Sequence, residues 1–468
     1  MSNDITRFAP SPTGNLHLGG ARTALINYII SKKNNNSKFY LRIEDTDKER
    51  SKAEYQDNII ESLKWLGLKW DSEPQIQSKR IDRHIEVAKH LLNNKNAYKC
   101  ICDEKILQER RELLKNNKLP NKKICNGCEN DKNIQNLTSE YAVRIKIPVN
   151  NSTKINDIVQ GSISVNNKEI DDYVILRKDN SPTYMLSVVV DDFDLGINFI
   201  IRGDDHLNNT FRQKYIYEFM QWDEPKYAHI PLIYGEDGTK LSKRHGAVNI
   251  IDLKKLGYLP ESVINNLILL GWSPGNSKNE FINFEEILEK FEIKDFSKSA
   301  SIFNYSKLNF FNNYYIRKTE NLDKFLNFCK NHKVLNIYLD KDKDKILRFF
   351  DVYKKNINFY EELVNHFFIY FDINYKLDKI NYAFDDIFDS NFKDFKEILL
   401  NSNFDDKEGL QSVISNFLKD KKIKFPIFGK PTRLILINKL EGPSISDILF
   451  ILGKKSSMDR LNQYIVNK

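Results

Sequence analysis

Two short stretches, far apart in the chain, carry residue types suited to holding a polyphosphate. The first runs Arg7-Phe-Ala-Pro-Ser-Pro-Thr-Gly-Asn-Leu-His-Leu-Gly-Gly20. An apolar strand start from Ile5 to Phe8 enters a turn marked by Pro10, Pro12 and Gly14. A helical pattern follows, with Leu18, Ala21, Leu25 and Ile29 on one face. A helix start presents unpaired N–H groups and partial positive charge, a natural anion site. Gly19 and Gly20 have no side chain to hold a ligand off that backbone. His17, just before them, can hydrogen-bond an anionic oxygen. The second stretch is Lys240-Leu-Ser-Lys-Arg244, between Gly238 and Gly246, with three cations in five residues. Such a loop can gather around phosphates. Taken singly, the first stretch also fits an ordinary strand-to-helix turn, and the second a solvated basic run.

These residues need elements to position them. Phe39, Leu41 and Ile43 alternate within Lys38 to Ile43, a strand pattern that ends in Arg42-Ile-Glu-Asp-Thr-Asp47. Carboxylates at the carboxyl end of a parallel strand lie where open α/β sheets bind ligands. Helical patterns follow at Tyr55, Ile59, Leu63, Leu66 and at Ile81, Ile85, Ala88, Leu92. Strand alternating with helix predicts a doubly wound parallel domain. Further on, Ser181 to Asp192 is an apolar run that suits a buried strand or helix. Asn198 to Asp205 predicts a buried strand with charges at its end. Phe211, Tyr215 and Phe219 mark a helix, and Ile230 to Tyr234 a last strand before the turn Glu236-Asp-Gly-Thr239.

Between these halves lies a different segment. Cys100-Ile-Cys102 and Cys125-Asn-Gly-Cys128 bring four of the five cysteines within 29 residues. Four thiolates can close a tetrahedral structural zinc site, and the glycine helps the backbone turn around a metal. Tyr141 to Pro148 and Ile163 to Ile175 alternate as strands, with Asn166-Asn167 as a turn, which predicts a small mixed α/β insertion. Cys329 sits in an apolar helical pattern with Leu322, Phe325 and Leu326 and is expected in a core. From Asp252 onward the pattern is helical, as in Ser262 to Leu270, Asp344 to Tyr353, Phe359 to Phe371 and Leu410 to Leu418. One or two α-helical bundles are expected there.

The totals set bounds. A chain of 468 residues suggests about three domains. The 72 Lys and Arg against 64 Asp and Glu give a net charge of +8, compatible with a nucleic-acid partner. The first residues lack a signal peptide's apolar stretch, and no apolar run approaches the ~18 residues of a membrane helix. Few cysteines for the length point to a reducing cytoplasm.

Together these residues resemble one family, the bacterial-type glutamyl-tRNA synthetases of class I. The resemblance runs end to end. It rests on Arg7 to Gly14, on His17-Leu-Gly-Gly20 as a form of the HIGH signature, on Arg42 to Asp47, on Val190-Asp-Asp192, on Ile201-Arg-Gly-Asp-Asp205, and on Lys240 to Arg244 as the KMSKS signature. Gly20 replaces the last histidine of HIGH, as is usual in the glutamyl branch. The resemblance implies a Rossmann-like parallel-sheet catalytic domain in two halves, 1–95 and 186–245, split by an acceptor-end-binding insertion, 96–185. It implies a stem-contact helical domain at 246–315 and an α-helical anticodon-binding domain at 316–468.

The implied reaction joins L-glutamate to tRNA through glutamyl-adenylate, at the expense of ATP with Mg²⁺. His17, Lys240 and Lys243 are the expected catalytic residues. ATP is expected on His17, Gly19, Gly20, Lys240, Leu241, Ser242, Lys243 and Arg244. Glutamate is expected on Arg7, Ala9, Ser11, Glu44, Tyr184, Arg202 and Asp205, with the arginines serving its carboxylates. One structural Zn²⁺ is expected on Cys100, Cys102, Cys125 and Cys128. The tRNA is that for glutamate, that for glutamine, or both, and a monomer is the family default. The long helical C-terminal part argues against the truncated glutamyl-queuosine tRNA synthetases. Helices in place of terminal β-barrels argue against glutaminyl-tRNA synthetases. Intact His17, Lys240 and Lys243 argue against a non-catalytic tRNA-binding paralogue.

Overall fold

The structure, a computed structural model, describes residues 3–117, 124–125, 127–239, 241, 249–275, 280–372, 374–377 and 382–466. Of the second basic stretch, Lys240, Ser242, Lys243 and Arg244 lie outside the described residues. The chain divides into two compact units, residues 1–254 with 260–308, and residues 255–259 with 309–468.

In the first unit, β1 (Ile5–Phe8), β2 (Lys38–Ile43) and β3 (Gln75–Ile76) form a parallel sheet. Between β1 and β2 runs α1 (Leu18–Lys32). The sequence pattern puts one apolar face on α1. The folded helix buries much more of its circumference, including Arg22, Asn27 and Ser31. Its polar residues can be buried because they bond to backbone. Asn27, for example, donates to the carbonyls of Thr23 and Ile201. Next come α2 (Ala53–Trp65) and α3 (Ile81–Asn93).

The segment that follows makes an antiparallel sheet of β4 (Ala97–Cys100), β5 (Ala142–Ile145) and β8 (Val174–Leu176). Between β5 and β8 the chain leaves that sheet. Here β6 (Ser152–Asp157) pairs with β7 (Gly161–Asn166) as a hairpin, and β6 also pairs in parallel with β10 (Lys226–Ile230), which in turn pairs with β9 (Phe199–Gly203). Strand alternation through Ile163 to Ile175 suggested a hairpin turning at Asn166-Asn167. Instead β7 pairs backward with β6, and a short 3-10 turn at Asn167–Glu169 carries the chain away to β8. The actual turn lies before Gly161, where φ is +89°, and Asp157 ties it by accepting the N–H groups of Val159 and Gln160.

The apolar run before Asp192 is a helix, α5 (Tyr184–Asp194), with α4 (Glu104–Asn116) lying earlier in the chain. Helix α6 (Leu207–Met220) connects β9 to β10. The last expected strand is split: β10 stops at Ile230, before Pro231, and a separate strand Ile233–Tyr234 pairs with Ser301–Ile302. Proline has no N–H to continue a ladder. The parallel sheet of β1 to β3 and the mixed sheet of β6, β7, β9 and β10 meet where Asn198 N–H donates to Ile5 O.

The second unit is helical, with helices such as Leu322–Asn331, Lys343–Tyr353, Asp386–Leu400 and Lys407–Asp420 around a phenylalanine-rich core. Phe325 and Phe350 stack there at 3.9 Å. Cys329 is fully buried in that core, and burial pushes its thiol up to about 12, so it stays protonated. Among the described residues, no helix is long and apolar enough to cross a membrane.

Candidate active site

The carboxyl ends of β1 and β9 open onto a cavity of about 440 Å³. Its wall includes Arg7, Ala9, Ser11, His17, Gly19, Gly20, Glu44, Tyr184, Arg202 and Asp205, which the sequence spreads over about two hundred positions. It also includes Arg22, Thr23, His206 and Asn209, which the sequence reading did not select.

At the helix start, His17 is the N-cap of α1. Its Nδ1 accepts the N–H of Gly20 at 3.0 Å. The Gly20 N–H is therefore already engaged, and His17 spends one ring nitrogen on the helix itself. A neutral ring then carries its proton on Nε2 and can donate it to an anionic oxygen. A Cβ at position 20 would lie 3.0 Å from Leu16 Cδ1, which would have to shift by a few tenths of an ångström to admit it.

On one side of the cavity the charges are matched. Arg7 Nε meets Asp192 Oδ1 at 3.0 Å, and Arg7 Nη1 reaches the Ile201 carbonyl. Arg42, fully buried, joins Asp192 through Nη1 and Glu44 through Nη2 at 3.0 Å. Burial opposes ionisation of Asp192, but Arg42 and Arg7 override it and hold its carboxyl below the usual range. At Glu44 burial wins over the same Arg42, and the carboxyl is pushed up. Neighbouring Asp191 accepts from Gln77, Arg80 and His84, which ties α5 to α3.

On the other side sits Arg202, 6 % exposed. Its Nη2 donates to Thr210 Oγ1 at 2.7 Å and Gln213 Oε1 at 2.8 Å. Its Nε donates to His229 Nε2 at 3.2 Å, and its Nη1 lies 3.5 Å from the Tyr184 hydroxyl. All of these partners are uncharged. Among the described residues, Arg202 has no ion pair. The Tyr184 hydroxyl lies 2.9 Å from His206 Nδ1, and burial, with Arg202 beside it, pushes His206 down to about 4. His206 is therefore neutral at pH 7. Asp205 is exposed at the rim.

Away from the cavity, the four cysteines converge. The Sγ of Cys125 lies 3.4 Å from Cys100 and 3.7 Å from Cys102, and Cys102 lies 3.6 Å from Cys128. All four sulfurs fall within 4.8 Å of one another. These separations are far too long for disulfides. Gly127, at φ +81°, makes the turn that aims the second pair.

The family model described as "tRNA synthetases class I (E and Q), catalytic domain" matches residues 5–310, and that described as "Anticodon binding domain" matches residues 318–465. The chain belongs to the class I tRNA synthetases of the glutamyl and glutaminyl group. This synthetase chain is 40% identical to "Glutamate-tRNA ligase 2" of Wolbachia pipientis, over 98% of its own length and 99% of that protein's. It is 39% identical to the "Glutamate-tRNA ligase" of Pelagibacter ubique over the full length of both. Among solved structures, a glutamate tRNA ligase from Elizabethkingia meningosepticum, in complex with its amino acid, superposes with a TM-score of 0.84 at 27% identity and 99% coverage of each chain.

The synthetase places Leu241 beside Ile233, whose carbonyl accepts the Leu241 N–H at 3.4 Å. Leu241 is therefore held next to the cavity wall, since Ile233 lines it. Sequence reading missed Arg42, His206, Thr210, Gln213 and His229 as supports of this site. Asp191-Asp192 at the end of an apolar run was the available signal for the ion-pair network.

Proposed function

We propose that the chain attaches L-glutamate to the 3′ end of its tRNA, using ATP and passing through glutamyl-adenylate. The observation that carries this reading is Arg202, a buried guanidinium whose described partners are all neutral, at the wall of a cavity with a helix start on its far side. A buried cation without an anion is costly, and a ligand carboxylate would relieve that cost.

In this reading Arg202 and Arg7 serve the glutamate carboxylates, Tyr184 and Glu44 contact the rest of the amino acid, and Ala9 and Ser11 leave room for it. Asp205 stands at the rim. His17 and the backbone of Gly19 and Gly20 face the ATP phosphates. The glutamate α-carboxylate attacks the α-phosphorus, the bond to the bridging oxygen breaks, and pyrophosphate leaves with the electron pair. A hydroxyl of the terminal adenosine of tRNA then takes the glutamyl group, and AMP leaves. Such transfers depend on positioning and charge stabilisation more than on covalent help. Lys240 and Lys243, with Leu241, Ser242 and Arg244, are assigned to the phosphates. Mg²⁺ accompanies the ATP and offsets charge on its oxygens.

The insertion with the cysteines, residues 96–185, is assigned to the acceptor end, residues 246–315 to the stem, and residues 316–468 to the anticodon. The cysteine cluster fits a structural zinc. Zinc–sulfur bonds of ~2.3 Å put tetrahedral sulfurs about 3.8 Å apart, close to the separations seen. Reduced, clustered thiols suit a cytoplasmic protein.

ATP–pyrophosphate exchange, measured with glutamate and tRNA, tests the reading. Lys243→Ala should cut exchange by about a hundredfold or more while tRNA binding survives. Unchanged exchange would remove Lys243 from the mechanism, and no exchange from well-folded wild-type protein would favour a non-catalytic tRNA-binding role. Metal analysis of protein never exposed to chelator should find on the order of one zinc per chain, and a small fraction of that would refute the site.

A further inference from the structure

Arg202 is held from behind by two buried groups that do not line the cavity. His229 on β10 is fully buried and stands opposite Arg202 in the strand register. Its Nε2 lies 3.2 Å from Arg202 Nε and 3.0 Å from Thr210 Oγ1. Its Nδ1 lies 2.6 Å from Asp157 Oδ2.

The chemistry at each end allows only one tautomer. A guanidinium nitrogen can only donate, so His229 Nε2 must offer its lone pair. A carboxylate can only accept, so Nδ1 must carry the proton. Asp157 is itself fixed, because it also accepts the backbone N–H of His229 at 3.0 Å and those of Val159 and Gln160. Burial opposes its ionisation, but the bonds from His229 and Gln160 hold its carboxyl below the usual range. Burial likewise pushes His229 down, so its ring is neutral.

We propose that Asp157 and His229 are positioning residues for the substrate carboxylate. Asp157 selects the tautomer of His229. His229, with Thr210 and Gln213, then fixes the plane of the Arg202 guanidinium and turns its Nη1 edge toward Tyr184 and the cavity. The proposal rests on the reading of Arg202 as a carboxylate receptor.

Asp157→Asn is the sharpest test. Asparagine keeps an oxygen for the backbone N–H groups but sets an amide NH₂ against His229 Nδ1. The ring must then carry its proton on Nε2, donor against donor at Arg202. In exchange assays with tRNA, KM for glutamate should rise about ten- to hundredfold, the cost of a buried donor left unmade, while KM for ATP holds. Side-chain ¹⁵N spectra should show His229 protonated on Nδ1 in the wild type and on Nε2 in the variant. His229→Gln, whose oxygen can still accept from Arg202, should keep glutamate KM nearer to wild type than His229→Leu does. That pair decides the question even if Asp157→Asn does not fold. Unchanged glutamate KM in Asp157→Asn and His229→Leu, or glutamate and ATP KM rising together, would overturn the proposal. Wild-type protein that gives no glutamate-dependent exchange would instead overturn the reading of the site on which it rests.

Discussion

Arg7 and Arg202 reach the same cavity from β1 and β9, and both are almost wholly buried, but their partners differ in kind. Arg7 shares Asp192 with Arg42, and Arg42 also holds Glu44, so that flank carries its own anions. Arg202 is surrounded by a histidine ring, hydroxyls and an amide. The first flank is a charge-matched network, in which the fold itself supplies anions to Arg7 and Arg42. The second holds a cation whose described partners are neutral, so in the proposed reading Arg7 meets the substrate with its charge already balanced and Arg202 does not. An arginine's role in a site is thus set less by its burial than by whether the fold already supplies its carboxylate.

The contrast makes opposite predictions for activity and stability. Arg202→Ala should lose on the order of a thousandfold or more in kcat/KM for glutamate, since a site built for a charged group is lost with its receptor. Its urea midpoint should fall less than that of Asp192→Asn, because the lost packing and the lost bonds to Thr210, Gln213 and His229 are offset by removal of a buried cation without an anion. A fall as large as that of Asp192→Asn would show that Arg202 is not an uncompensated cation.

Asp192→Asn should behave the other way. It removes the anion of buried Arg7 and one of the two anions of Arg42, and should cost about 3–5 kcal/mol in urea unfolding. An unmoved midpoint would deny the charge-matched network on that flank.

A smaller effect follows with pH. The Asp192 carboxyl is held below its unfolded value of ~3.9, so its contribution is present above that pH and is lost as pH falls through the lower folded value. The raised carboxyl of Glu44 acts with the opposite sign: it costs stability above its unfolded value, and acid relieves that cost. Stability measured from pH 5 downward should fall less steeply in Asp192→Asn than in the wild type.

The sequence made the arginines of this contrast legible and their supports nearly invisible. Strand Lys38–Ile43 is readable because its inward residues are apolar, and it folds with those bounds. Strand β6 buries Thr153, Ile155 and Asp157, two of them polar. Hydrophobic alternation cannot find a strand whose inward side chains are matched by hydrogen bonds, as Thr153 is by Tyr215 and Asn167 and Asp157 by His229. Arg7, Glu44, Tyr184 and Arg202 were legible through motifs, and the cavity brings them together. His206, Thr210, Gln213 and His229 were not, because a buried neutral partner of an arginine has no signature in residue type. The cysteines needed no fold to be noticed, since type and spacing alone drew them together.

The most direct measurement uses the unaltered protein. Glutamate and glutamine share the α-carboxylate and differ in the side-chain group by one charge at nearly constant shape, so a cationic receptor for the side-chain carboxylate separates them strongly. ATP–pyrophosphate exchange in the presence of tRNA should give a kcat/KM for glutamate about a thousandfold or more above that for glutamine. A ratio near one would contradict a role for Arg202 as receptor of the side-chain carboxylate.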